Sequence, residues 1–308
     1  MNSEKKRAAA SVKQKLLNRA RKEHRLFDEL LQYYAIEKFL LRMSRSVYVD
    51  RFVLKGALLL RTTNISDMRP TRDIDFLSPK SASPEELEKL IAECCQVTVQ
   101  EDGLVFDPGS IRSEEIREQH AYQGMRLKLR GSLGTAVITV QMDIGFGDVV
   151  TPVPLWVEFP SLLGDEKPKI KAYTLESAIA EKYQAMIQLD LANSRMKDFY
   201  DIYFLCRNYS FEGPRLQKAI QQTFERRNTD IPEDVPSAFT KSFHSDPSTQ
   251  AQWRAFRKKL SAHELPEDLE VVLDLIQQFL WPVTEQLNRG ATMSKNWRPD
   301  VGWHEPIP

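Results

Sequence analysis

The stretch Arg69-Pro70-Thr71-Arg72-Asp73-Ile74-Asp75-Phe76 sets two aspartates one residue apart in an otherwise strand-like segment. Aspartate is depleted in strands, and a buried carboxylate is costly unless something pairs with it. The pair is therefore either a polar strand end or a cation site. Side chains alternate along a strand, so Asp73 and Asp75 point one way while Ile74 and Phe76 point the other. Two residues of rise separate the carboxylates by about 7 Å, close enough to converge on one or two cations. Magnesium suits such a site because it takes oxygen ligands, commonly one or two carboxylates completed by water and substrate phosphates. Two-metal phosphoryl-transfer sites also need a third anionic group. Asp143, flanked by apolar residues in VQMDIGFGD, is the first candidate for it, and Asp148 the second.

Several elements must hold these residues. FVLKGALLL, Phe52 to Leu60, reads as a strand, a turn at Gly56 and a helix. A helix start of that kind presents backbone N–H groups that suit phosphate. A polar loop, NISDM, precedes the strand DIDFL, and Pro84 opens a helix over PEELEKLIAECCQV. From Gly103 to Gly147 the pattern is strand-like, with Gly131 and Gly134 marking a hairpin turn. Upstream, Ser11 to about Met43 has helical spacing, with Leu16, Ala20, Phe27, Leu30, Leu31 and Tyr34 able to share a stripe. The Pro-rich stretch TPVPLWVEFPSLLGDEKPK predicts a loop or edge and a boundary, beyond which five segments fit the helical period. The tail from Ala291 is expected to be poorly ordered or docked as an irregular strap. The expected organisation is a helical lead (1–45), a mixed α/β core (46–165), a helical domain (166–290) and the tail (291–308).

Lys plus Arg equals Asp plus Glu, 43 of each in 308 residues, so any nucleic-acid contact must use a local basic patch. RLKLR puts Arg126, Lys128 and Arg130 on one strand face; helical Arg254, Arg257, Lys258 and Lys259 form a second cluster. The three cysteines, Cys94, Cys95 and Cys206, fit neither a disulfide framework nor a zinc site and point to a reducing compartment. The basic N-terminus lacks the apolar core of a signal peptide, and no run of about 18 apolar residues occurs. A cytoplasmic protein without a membrane span is expected.

The ordered set KGALLL, RPTRDIDF, VQMDIGFG, TLESAIAEKYQAM and RMKDFYDIYFL resembles the AbiEii/AbiGii-type nucleotidyltransferase toxins, from about Phe52 to Leu205. The resemblance implies an α+β fold: a polymerase-β-like nucleotidyltransferase core, a mixed sheet with flanking helices, followed by a helical C-terminal domain. It further implies transfer of NMP from an NTP with Mg²⁺ (or Mn²⁺) as cofactor, in a toxin–antitoxin or abortive-infection (phage-defence) system. A cognate antitoxin would be encoded next to it. In the MenT-type members of the family the acceptor is the 3′ end of tRNA, and translation is blocked.

Carried over residue by residue, Gly56 is the glycine of the first motif, and Asp73, Asp75 and Asp143 are the metal-binding carboxylates. Lys182 of the A-E-K helix corresponds to a lysine that contacts the triphosphate, and Lys197, Asp198 and Asp201 to the later R/K-D-x-x-D motif. Lys55, Ala57 and Arg72 complete the nucleotide-binding set. Ala57 departs from the family's frequent K-G-G or G-S, removing a hydroxyl or backbone freedom beside the phosphates. Read from spacing alone, Lys182 lies beside an apolar stripe of Ile179, Tyr183, Met186 and Ile187, from which its amine could reach a cleft. Asp198 and Asp201, and Lys197 and Asp201, share a helix face, a pattern that also describes a surface ion pair. Two other functions fit the same residues: nucleotide transfer to a protein or small molecule, and nucleotide binding without catalysis.

Overall fold

A computed structural model describes residues 3–63, 71–118, 122–148, 150–260 and 265–306. The NISDM loop and Arg69 lie outside the described residues. The chain divides into two compact units, Met1–Asp148 with Pro154–Tyr173 and Val149–Val153 with Thr174–Pro308.

The first unit contains α1 (Ser3–Glu23), α2 (Phe27–Ser44), β1 (Val53–Lys55), α3 (Gly56–Leu60), β2 (Asp73–Ser78) and α4 (Pro84–Gln96). It continues with β3 (Leu104–Glu118), β4 (Tyr122–Leu133), β5 (Ala136–Phe146), β6 (Leu155–Glu158) and β7 (Lys169–Ala172). The seven strands form one mixed sheet in the order β3-β4-β5-β2-β1-β7-β6. β3, β4 and β5 form an antiparallel meander, β5 runs parallel to β2, and β2 is antiparallel to β1. Alternation along β2 leaves Ile74 and Phe76 fully buried and Asp73 and Asp75 half-buried on the other face. Burying two such side chains contributes about 1.5–3 kcal/mol each, which anchors the strand that carries the acidic pair. Pro84 starts α4 as expected, and the Ser83 hydroxyl accepts from the Glu86 N–H at 3.2 Å.

Two local expectations change. The helical stretch from Ser11 to Met43 is two helices, because the chain turns at His24, whose φ is +52°. The apolar stripe crosses that break in phase, so periodicity alone does not reveal it. The β4–β5 turn also lies at Gly134 and Thr135, with Gly134 at φ +63°, while Gly131 sits within β4 opposite Ile138. Positive φ at the first central residue is what both hairpin turn types matched to strand twist require.

The second unit is mainly helical: α5 (Leu175–Leu189), α6 (Met196–Asn208), α7 (Gly213–Arg226), α8 (Lys241–His244), α9 (Pro247–Leu260) and α10 (Leu269–Asn288). A three-stranded sheet joins β8 (Phe211–Glu212), β9 (Asn296–Arg298) and β10 (Gly302–His304). The tail is therefore a hairpin and not an irregular strap. Its tryptophans explain why: Trp297 is buried with its indole N–H on the Cys206 carbonyl at 2.7 Å. Trp303 stacks on Phe279 at 5.8 Å between centroids and donates to the Phe279 carbonyl at 3.0 Å. Among the described residues, no helix is long and apolar enough to cross a membrane.

Candidate active site

The acidic pair is set by β2, and β2 is set by α2. The Gln32 amide of α2 donates to the carbonyls of Arg72 at 3.2 Å and Thr139 at 2.9 Å. The Thr71 N–H donates to the Tyr33 hydroxyl at 3.0 Å. These bonds fix the backbone that enters the strand, so Asp73 starts from a defined position; the Arg72 side chain is exposed.

Strand register then builds a row across four neighbouring strands. Arg126 on β4 pairs with Asp143 on β5, Asp143 with Asp75 on β2, and Asp75 with Lys55 on β1. Residues paired across a sheet share a face, and neighbouring strands lie about 4.8 Å apart. The row therefore alternates cation, carboxylate, carboxylate, cation on one half-buried surface. Asp73 stands in the next row on that face, opposite Gln141, which in turn faces Lys128.

Each end of the row is held by an ion pair. The Arg126 guanidinium forks onto both oxygens of Asp143, with Nε at 2.8 Å and Nη2 at 2.7 Å. The Asp143 hydrogen bonds, with Glu114 and Asp73 nearby, hold Arg126 more firmly protonated than an ordinary arginine despite its partial burial. At the other end the Lys55 ammonium meets Asp148 at 3.2 Å and lies 5.6 Å from the centre of the Tyr173 ring. Gly56, at φ +68°, follows Lys55, and a Cβ there would overlap the Asp75 carboxylate. Only glycine lets that carboxylate lie against the start of α3. Ala57 is buried.

Asp73 and Asp75 offer the oxygen-only donors that suit magnesium in a site completed by water and phosphate oxygens. Asp143 is differently placed, since Arg126 engages both of its oxygens. Among the described residues, no group of three or more His, Cys, Asp and Glu side chains is arranged to hold one metal ion. Asp73 and Asp75 could therefore supply oxygen ligands to a metal ion, with Asp143 on the neighbouring strand held by Arg126.

The second unit brings together Lys182, Asp198 and Asp201. The Lys182 ammonium sits 2.9 Å from Asp198 and 2.7 Å from Asp201, and Arg195 completes the group at 2.6 Å from Asp198. Burial pushes the Asp198 carboxyl up, but Lys182 and Arg195 together hold it below the usual aspartate range. Lys197 is not part of this group. Although it is four residues from Asp201, it is exposed while Asp201 is fully buried, and Lys182 supplies the neutralising charge instead.

The basic strand face is also less available than its composition suggests. Arg126 is committed to Asp143, and Lys128 lies 3.1 Å from Glu114 across the β3–β4 ladder, leaving exposed Arg130 as the third cation. On α9, Arg257 contacts the Leu265 carbonyl at 3.2 Å and Glu267 at 3.7 Å, while Arg254, Lys258 and Lys259 are exposed. Sequence reasoning missed three partners: Arg126 for Asp143, Asp148 for Lys55, and Arg195 in the helical group. The first was recoverable, because pairs counted back from the Gly134-Thr135 turn place Arg126 opposite Asp143.

Comparison with known proteins adds the following. A family described as "Nucleotidyl transferase AbiEii toxin, Type IV TA system" matches residues 38–275. No curated protein matches the chain. Two crystal structures from Helicobacter pylori, one of a protein provisionally assigned as a nucleotidyltransferase and one of JHP933, each align with 82% of this chain at 14% identity and a TM-score of 0.45. The alignments cover 93% and 90% of those chains.

Proposed function

Because the chain belongs to the AbiEii nucleotidyltransferase toxin family of type IV toxin–antitoxin systems, we propose that it transfers a nucleoside monophosphate from an NTP to an acceptor, the 3′ end of tRNA. The observation that supports this most is the register row, which sets Asp75 between Asp143 and Lys55 and against Gly56.

In this reading Asp73 and Asp75 would hold Mg²⁺ (Mn²⁺ as a substitute), which when bound would neutralise charge on the triphosphate. Lys55 adds a positive charge at the same level of the sheet, beside the Gly56 backbone. Arg72, exposed just ahead of the pair, is available to the outer phosphates. Asp143 orients the acceptor hydroxyl and takes its proton as that oxygen attacks the α-phosphorus and pyrophosphate leaves. The family resemblance assigns Lys182 a triphosphate contact, and within the helical unit Asp198 and Asp201 orient its ammonium. Catalysis of this kind is mostly positioning and electrostatics, so losing one charged contact costs about a hundredfold or more. Asp148, held on Lys55, serves to place that ammonium.

The acceptor needs a cationic surface, and Arg254 and Lys258, four apart on α9 and both exposed, are the better candidates now that Arg126 and Lys128 have partners. The protein acts in the cytoplasm, in phage defence, with an antitoxin encoded beside it. The deciding experiment incubates the protein with Mg²⁺, each α-labelled NTP in turn, and total tRNA, total protein or a metabolite extract. Label on tRNA ends supports the proposal. Label confined to protein or small molecules keeps the chemistry and replaces the acceptor, and no label anywhere contradicts transfer.

A further inference from the structure

We propose that Arg126 is a positioning residue that withholds Asp143 from a divalent cation until a triphosphate arrives, so that metal and nucleotide bind cooperatively. This rests on the reading above of Asp73 and Asp75 as metal ligands.

The geometry supports it in three ways. First, the fork takes one hydrogen bond on each Asp143 oxygen, at 2.8 and 2.7 Å. A cation shared by Asp75 and Asp143 would meet the positive charge of Arg126 across the same carboxylate. Second, the two middle carboxylates of the row, Asp143 and Asp75, are flanked by the cations Arg126 and Lys55, which lowers their pull on a bare cation relative to an unflanked pair. Third, the Arg126 side chain is about one-third exposed (32%), so it can swing without unpicking the β4–β5 ladder. A triphosphate offers the planar fork new oxygens at comparable geometry, and guanidinium binds phosphate as readily as carboxylate. Once Arg126 turns to phosphate, Asp143 is released to the metal or to the acceptor hydroxyl. Coupling is reciprocal, so metal must then raise nucleotide affinity by the same factor. The Arg126 guanidinium is forked onto Asp143, which is why it is assigned here and not to an RNA-binding surface.

The test is calorimetric titration of Mn²⁺ into the full-length protein, with and without an α,β-methylene NTP analogue. Wild type should bind Mn²⁺ weakly alone and much more tightly with the analogue. Arg126→Gln should bind Mn²⁺ alone about tenfold more tightly and gain less from the analogue. Adding Asp143→Asn to that variant should erase the gain. Arg126→Lys keeps the charge but loses the fork and should fall between; if Arg126→Gln does not fold, the sign of the Lys variant's shift decides. A merely structural arginine would weaken metal binding when removed or leave it unchanged. Mn²⁺ affinity in Arg126→Gln no tighter than wild type, with Asp75→Asn abolishing binding, overturns the proposal and leaves the functional reading intact. Unchanged Mn²⁺ binding in Asp75→Asn overturns the metal assignment itself.

Discussion

Two charged groups of this protein use the same residue types to opposite ends. In the strand row, Arg126, Asp143, Asp75 and Lys55 are brought together by backbone register, and their side chains stay in reach of water. In the helical group, Lys182 is clasped by Asp198 and Asp201, and Asp201 is 0% exposed. The Arg126–Asp143 pair keeps 32% and 20% of its side chains exposed, so a ligand can reach it and exchange for one partner. A desolvated group is stable only when complete, since removing one member leaves an uncompensated buried charge. The row is suited to bind and release, and the helical group to hold a geometry.

The largest effect that would break this contrast is on stability. Asp201→Ala removes one of the two carboxylates on Lys182 and leaves the buried group with surplus positive charge, which should cost about 3 kcal/mol or more in denaturant unfolding. A loss under about 1 kcal/mol would mean that the helical group is as exchangeable as the strand row. Gly56→Ala comes next. It forces a side chain into positive φ and into the space of the Asp75 carboxylate, so about 1–3 kcal/mol should be lost together with metal affinity. Unfolding curves and Mn²⁺ titration read the two losses separately.

Acid sharpens the comparison further. The Asp198 carboxyl is held below its ordinary value of 3.8, so its ionised form is favoured by folding. The stabilisation is therefore fully present above the unfolded pKa and lost as pH falls through the lower folded one. Asp198→Asn should flatten the acid limb of a stability-against-pH curve below about pH 4 and leave its slope near neutrality unchanged. The smallest effect belongs to Lys128→Ala, whose partner Glu114 is as exposed as it is. A change within about 0.5 kcal/mol by thermal unfolding is expected.

Much of the strand row was legible from the chain alone. Asp73 and Asp75 sit on one face and Ile74 and Phe76 in the core because a period of two leaves no other arrangement. Asp143 on a neighbouring strand followed from its apolar flanks, and the strand–glycine–helix unit around Gly56 from a single residue. What was hidden depends on register. With the turn spread over Gly131 and Gly134, the partner of Asp143 was undefined, and Arg126 read as one of three cations open to nucleic acid. Long-range partners such as Asp148 for Lys55 have no local signature at all. In α6 the four-residue spacing of Lys197 and Asp201 suggested one face, but tertiary packing buried only the aspartate. The break at His24 has no glycine or proline to announce it, and the tail hairpin is made by two tryptophans whose contacts lie far back in the sequence.

The central claim is that the strand row, with Asp75 at its middle, is the catalytic surface and is separable from what holds the fold. The most direct test measures transfer from α-labelled NTP with Mg²⁺ and total tRNA for wild type and Asp75→Asn, alongside their unfolding midpoints. Transfer should fall by about a hundredfold or more while the midpoint stays within a few degrees of wild type. An Asp75→Asn protein that stays folded and transfers label at the wild-type rate would contradict the claim.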